Sequence, residues 1–163
     1  MDWNAIVRAN GPAVFRAAWR ILGQSADAED VTQEVFLEAF RLERSGSVRS
    51  WPAMLRRMAV CRALDRLRRR RPAVSIDDRS PSSCAGPEAD AIAAELAARV
   101  SEAIGQLPER EAEVFCLRYF EDLSNQEIAD SLGIQAGAVA AALHKARAKL
   151  ESSLRSHLQG DKR

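Results

Sequence analysis

The sequence predicts an all-α protein: two small helical domains joined by a flexible linker, the second containing a helix-turn-helix. Three observations lead there. Hydrophobic residues make up 47% of the 163 residues but aromatics only 6%, and the abundance of Ala, Leu, Arg and Glu favours helices over strands. Apolar residues recur at helical spacing on both sides of residues 72–90 but not within them. The segment 72–90, PAVSIDDRSPSSCAGPEAD, holds three prolines, a glycine and several serines, the composition of a flexible connector. The expected organisation is a domain over 1–71, a linker over 72–90, a second domain over 91–158 and a short tail at 159–163.

Charge divides at the same places. The chain carries a formal +1 overall. Residues 1–72 hold 14 Arg and Lys against 8 Asp and Glu, residues 73–98 hold 1 against 5, and residues 99–163 hold 9 against 10. A basic first part, an acidic joint and a near-neutral last third point to units with separate partners.

The first strongly patterned helix is SADAEDVTQEVFLEAFRLE, residues 25–43. Ser25 is the expected N-cap, and Asp27, Glu29 and Asp30 fall in the first turn, where the helix dipole favours anions. At 100° per residue, Val31, Val35, Phe36, Ala39, Phe40 and Leu42 share one broad apolar face. Asp27, Asp30, Gln33, Glu34 and Glu38 occupy the other. Most amphipathic helices have a solvated polar face, but this one is dominated by acids with only Arg41 to offset them. It suits a basic protein partner.

The next helix, SWPAMLRRMAVCRALDRLRRRR, spans residues 50–71. Pro52 fits a first turn, and Leu55, Met58 and Leu67 face inward. From Arg49 to Arg71 there are nine arginines and one acid, Asp65. These arginines belong to a patterned helix, so Arg56, Arg57, Arg62, Arg66, Arg68 and Arg69 form a candidate phosphate-binding surface. Trp51, at the helix entry, is either a core side chain or a platform for an unpaired base.

The sharpest local signal lies in LPEREAEVFCLRYFEDLSNQEIADSLGIQAGAVAAALHKARAKLESSL. It divides into three helices. Pro108 opens the first, with Val114, Phe115, Leu117 and Tyr119 expected on its inner side. Ser124 and Glu127 have capping-box spacing for the second, which ends near Leu132, and Gly133 permits a tight turn. The third starts near Ala136, with Val139, Leu143, Ala146 and Leu150 at core spacing. Small Ala129 allows close approach, and Ile128, Leu132 and Ile134 fill the angle. In a helix-turn-helix the third helix of such a unit enters the major groove.

Other chemistry finds little support. Cys61, Cys84 and Cys116 include no C-x-x-C pair, and His144 and His157 stand at no ligand-like spacing to them. The expectation is two core thiols, one linker thiol, no metal and no cofactor. No nucleophile–base pair or glycine-rich phosphate loop suggests an enzyme. The start, MDWNAIVRANGP, lacks the pattern of a signal peptide, and no apolar run approaches the roughly 20 residues of a membrane span. No membrane insertion and a cytoplasmic address are expected.

Taken together, DAEDVTQEVFLEAF (27–40), the stretch from Trp51 to RALDRLRRRR (62–71), and LPEREAEVFCLRYFEDLSNQEIADSLGI (107–134) followed by LHKARAKL (143–150) resemble the extracytoplasmic-function (ECF) sigma factors of bacterial RNA polymerase. The resemblance covers nearly the whole chain outside the linker. It implies a sigma factor that binds core RNA polymerase and directs promoter recognition, DNA melting and transcription initiation. Asp27, Asp30, Gln33 and Glu34 would bind the polymerase largest subunit. Trp51 and Arg56, Arg57, Arg62, Arg66, Arg68 and Arg69 would engage the −10 element. Gln126, Gln135, Ala136, Ala140, His144, Lys145, Arg147 and Lys149 would face the −35 element. The linker, with Asp77, Asp78, Glu88 and Asp90, would thread the active-site channel as a mimic of a nucleic-acid strand. An anti-sigma factor is a further candidate partner.

Before the linker, the chain departs from the family pattern at three places. Met54 stands where a tryptophan is usual, Trp51 where a phenylalanine is, and Cys61 where an asparagine is frequent. The third helix of the C-terminal unit commonly reads like G-T-V-K-S-R-L-H-R-A-R, and here it reads GAVAAALHKAR over 137–147. Alanine can touch a thymine methyl but makes no bidentate bond, each of which is worth roughly 1–3 kcal/mol of discrimination. Phosphate anchoring by Lys145, Arg147 and Lys149 with weak −35 selection is therefore expected. Two other readings share the C-terminal motif: a helix-turn-helix regulator acting without polymerase, and a protein-interaction module whose DNA-reading helix has degenerated.

Overall fold

The structure is a computed structural model that describes residues 2–44, 48–70 and 87–160. Among these, seven helices and no strand are present: α1 (Trp3–Leu22), α2 (Ser25–Glu43), α3 (Trp51–Arg69), α4 (Pro87–Gly105), α5 (Glu109–Tyr119), α6 (Asn125–Leu132) and α7 (Ala136–Gly160). The all-helical, two-part prediction holds.

Local chemistry sets most boundaries. Asp2 caps α1 by accepting the Ala5 N–H, and Gly23 ends it in the left-handed region at φ 68°, its N–H bonded to the Trp19 carbonyl at 2.7 Å. The chain then becomes extended at Gln24, so α2 is entered one residue earlier than expected. Gln24 holds the cap position without a side-chain cap bond, and Ser25 is already helical. Pro52 sits in the first turn of α3, as the sequence suggests.

Helices α1, α2 and α3 pack on one another through small and branched side chains. Val14, Ala17, Ala18, Val31, Val35, Ala39, Leu55, Ala59 and Ala63 are fully buried. The alanines bring the helix axes close, and the branched residues fill the space between them. Phe36 packs against this core, but Phe40, expected on the inner face, is 48% exposed. At that end of the bundle its cover is the edge of the Trp3 ring, 5.5 Å away between centroids.

Helix α4 begins inside the stretch assigned to the linker. Pro87 starts it, and Glu88 and Asp90 lie in its first turn, so these two acids are helix-start residues. Asp77, Asp78 and Cys84 lie outside the described residues. The first half of α4 leaves Ile92 and Leu96 exposed, while Ala103 and Ile104 enter the core. Val114, Cys116 and Leu117 of α5, Ile128 and Ala129 of α6, and Val139, Leu143, Ala146 and Leu150 of α7 are buried as expected. Tyr119 is not on the inner side. It stands at the last position of α5, 44% exposed, stacked on Phe115 and covered by two arginines.

The buried residues of both halves form one cluster. Helix α3 bears on α4, α5 and α6, and a Cβ added at Gly105 would come within 3.4 Å of Leu67. Among the described residues, no helix is long and apolar enough to cross a membrane.

Candidate nucleic-acid interface

The acidic stripe of α2 and the arginine stripe of α3 face each other. Carboxylates at 27, 30, 34 and 38 follow helical spacing, and so do guanidiniums at 62, 66 and 70. Arg62 makes two bonds to Glu38, at 3.0 Å from Nε and 2.6 Å from Nη2. Those bonds raise the Arg62 pKa further above its ordinary value. Arg66 reaches Asp30 at 3.2 Å, Glu34 at 3.5 Å and Asp27 at 3.6 Å. Arg70 bonds Asp27 and also donates to the Leu22 carbonyl at 2.7 Å. Residues assigned from the sequence to two partners are thus brought together as one ion-pair ladder.

The ladder leaves an outer strip of α2 in solvent. The side chains of Asp30 and Glu34 remain 60% and 50% exposed despite their pairs, and Gln33 is exposed. Leu37, 60% exposed, continues this strip, with Phe40 beside it. Sequence reading missed Leu37. Its signal was a lone large apolar residue on a polar face, a position that is either an ordinary exposed leucine or a contact residue.

Helix α3 turns a different side to the second half of the chain. Arg57 donates to the Ser131 carbonyl at 2.9 Å, and its Nε lies 3.5 Å from Glu113. Cys61 donates to the same carboxylate at 3.0 Å. Burial, followed by the Glu113 charge, pushes the Cys61 thiol up to about 12. Cys116 is fully buried, and burial raises its pKa as well. Arg56 donates to the Pro52 carbonyl, Arg68 pairs with Asp65 at 3.8 Å, and Arg69 is exposed. Trp51 is half-buried, meeting Trp3 edge-on at 5.4 Å between centroids. Its ring is therefore held by α1 at the start of α3. Among the described residues no cluster of His, Cys, Asp and Glu is arranged to hold a metal ion.

The helix-turn-helix is built as its sequence indicates. Ser124 Oγ accepts the Glu127 N–H at 3.2 Å, and the Glu127 carboxylate accepts the Ser124 N–H at 2.8 Å. Those bonds hold the Glu127 pKa below the ordinary carboxylate value. Gly133 takes the left-handed conformation at φ 66°, where a Cβ would be strained. Gln135, Ala138, Ala140, Ala141, His144, Lys145 and Arg147 are exposed along the start of α7, and Ala136 is half-buried. Gln126 bonds Asp130 at 2.9 Å. Arg147 lies 5.6 Å over the Tyr119 ring, and Lys149 sits 2.9 Å from both Glu111 oxygens. These two cations are therefore oriented by α5, while His144 and Lys145 project from the open face.

Comparisons with known proteins agree with this two-part arrangement. Residues 6–73 match the family model for Sigma-70 region 2, and residues 97–150 match that for Sigma-70 region 4. The chain is 32% identical over 161 residues to the ECF RNA polymerase sigma factor SigE of Mycolicibacterium smegmatis, covering 96% of this chain and 63% of that protein. It is 28% identical over 159 residues to the ECF RNA polymerase sigma factor SigW of Bacillus subtilis, covering 87% of this chain and 83% of that one. The fold matches CnrH, solved in complex with the cytosolic domain of CnrY, at a TM-score of 0.65 and 26% identity, over 94% of this chain and 88% of CnrH. The class is thus a sigma-70-type factor carrying regions 2 and 4. The chain belongs to the ECF sigma factors.

Proposed function

We propose that this chain binds core RNA polymerase and directs promoter recognition, DNA melting and transcription initiation, and that it is itself not an enzyme. The observation that carries the reading is the outer strip of α2: Asp30, Gln33, Glu34 and Leu37 form an acidic surface with an apolar end. A regulator that only binds DNA has no use for it. A basic protein surface fits it, through charge complementarity at the rim and burial of Leu37.

Promoter contact falls to the other elements. Trp51, held edge-on by Trp3, offers a ring for an unpaired base at the −10 element, and Arg56, Arg57, Arg62, Arg66, Arg68 and Arg69 supply phosphate contacts. Of these, Arg62 and Arg66 are also structural, because they hold α2 to α3. At the −35 element, Gln135, Ala136, Ala140, His144 and Lys145 offer the reading face, with Gln126, Arg147 and Lys149 at its edges. Exposed alanines supply methyl contacts and no hydrogen bonds, so sequence selection there is weak. A cytoplasmic site of action follows from this partner set. An anti-sigma factor is a further partner, supported by the fold match, at 17% identity and a TM-score of 0.62, to RpoE of Bartonella quintana, solved with the anti-sigma factor NepR.

The test is co-purification with core polymerase, followed by run-off transcription from a promoter library. Core-dependent transcripts from a shared −10 motif are expected. A chain that leaves core unbound yet retards duplex DNA would make it a polymerase-independent regulator. Core binding without transcripts would make it an interaction module.

A further inference from the structure

Helix α1 contains Arg8, Arg16 and Arg20 but no carboxylate. From Ala5 to Arg20 its exposed positions are Ala5, Arg8, Ala9, Pro12, Arg16 and Arg20, so its solvent side carries only cations and small side chains. A face kept polar for solvation alone ordinarily mixes both signs of charge. Arg20 is engaged within the chain: it donates to the Phe120 carbonyl and lies 3.5 Å from Glu121. Arg8 and Arg16 differ. Among the described residues neither lies within ion-pair distance of a carboxylate, whereas Arg62, Arg66 and Arg70 of α3 are matched to the acids of α2.

The spacing of these two guanidiniums suits a nucleic-acid backbone. Eight residues of helix separate Arg8 from Arg16 by about 12 Å along the axis. One strand of duplex DNA rises about 3.4 Å per nucleotide, so that span meets phosphates roughly three or four nucleotides apart. Ala9 and Pro12 between them are short, which lets a backbone come close, and the guanidinium fork matches phosphate oxygens. The stripe also continues onto α3. Burial raises the Glu121 pKa, and the charges of Arg20, Arg56 and Arg16 oppose that rise, so all three arginines bear on one carboxylate. Arg16 of α1 and Arg56 of α3 thus belong to one basic patch. A protein partner would need apolar or aromatic side chains to bury at its centre, and this face offers only alanines and a proline.

We infer that Arg8 and Arg16 form, with Arg56, a track for the phosphate backbone of promoter DNA, so that the DNA surface of the first unit spreads from α3 onto the outer face of α1. This rests on the reading of α3 as the −10 surface. The track holds phosphates, so it adds affinity at every promoter alike and selects no sequence. It also supplies cations that the α2 carboxylates do not already neutralise, as they do Arg62 and Arg66.

The test is the salt dependence of promoter binding by reconstituted holoenzyme, read by filter binding from 50 to 200 mM salt on duplexes that differ in their −10 and −35 sequences. Each lost phosphate contact lowers the slope of log affinity against log salt by about 0.9. Arg8→Gln with Arg16→Gln should therefore lower it by about 1.8, and the wild-type advantage should shrink about tenfold across that salt range. The loss should be the same on every duplex. Arg8→Gln alone, at a position whose charge does not bear on Glu121, should lower the slope by about 0.9. Arg8→Lys with Arg16→Lys keeps both charges and should keep the slope. Both positions are exposed, so a thermal melt of each variant should match the wild type. Anisotropy with core polymerase alone should give wild-type affinity for all of them. An unchanged slope in the double glutamine variant overturns the proposal. So does a loss of core affinity, which would place the arginines against an acidic surface of the polymerase. Failure of the wild-type chain to bind core sinks the sigma assignment instead. The same slopes, measured for the free chain on duplex DNA, then decide the arginines separately, and an unchanged slope or no binding overturns their role.

Discussion

Leu37→Ala tests the polymerase-binding strip most cleanly, because Leu37 has little to do in the fold. Its 60% exposure leaves that share of the side chain for a partner to cover. Full burial of a leucine is worth about 1.5–3 kcal/mol, so covering the exposed part contributes roughly 1–2 kcal/mol. Truncation should therefore weaken core binding by about 5- to 30-fold. The part already buried accounts for about 1 kcal/mol or less of folding stability, a shift of about 2–4 °C in Tm for a chain of this size. The assay is anisotropy of labelled protein titrated with core polymerase, with a circular-dichroism melt alongside. Unchanged core affinity would refute the placement of Leu37 at an interface. A Tm loss above about 8 °C would show that the residue is structural.

Three further outcomes follow from the geometry. Ser124→Ala removes one half of the capping box and should cost about 1 kcal/mol in a denaturant titration. The intact box also implies a pH dependence: Glu127 has a depressed pKa, so its contribution is present above the unfolded carboxylate pKa and fades as pH falls through the folded value, a dependence that Ser124→Ala should blunt. Lys145→Ala should weaken holoenzyme binding equally across −35 variants and reduce the salt-dependence slope by about 0.9, read from filter binding at several salt concentrations; a loss confined to one −35 sequence would instead make Lys145 a base reader. Arg66→Ala leaves Asp27, Asp30 and Glu34 facing one another without their shared cation, and should lower stability by about 1 kcal/mol at low salt, with the difference shrinking in 1 M salt; a salt-independent loss would point to packing of the arginine stem.

The features legible in the sequence are those encoded within one helix or one turn. Ser124 and Glu127 specify a cap by their spacing, Gly133 specifies a left-handed turn, and Val139, Leu143, Ala146 and Leu150 mark the buried side of α7. Features set by neighbours were harder to read. A helical wheel places Phe40 and Tyr119 on an apolar side, but exposure depends on where the adjacent helix ends, and both stand at the last turn of theirs. The start of α4 had a local signal, proline at the first position followed by two acids, which the surrounding serines and prolines outweighed. Lys149 shows the same limit: its spacing fits a phosphate contact, but the packing of α7 on α5 sets Glu111 beside it. The sequence also could not tell that Arg57 and Glu113, 56 positions apart, meet.

The charge pattern shows why counting residues by helix is a weak guide to surfaces. From sequence, α2 is an acidic face and α3 a basic one, each apparently free for its own partner. In the fold, Arg62, Arg66 and Arg70 already neutralise Glu38, Asp30, Glu34 and Asp27. A basic partner arriving on α2 does not meet bare carboxylates. It must compete with Arg66 for Asp30 and Glu34, and it gains only the difference between two ion pairs of similar geometry, which at such exposure is a fraction of about 1 kcal/mol. The apolar end of the strip has no internal competitor, because Leu37 is exposed in the free chain and only a partner can cover it. Affinity on this surface therefore rests mainly on Leu37, and the carboxylates contribute orientation and encounter rate.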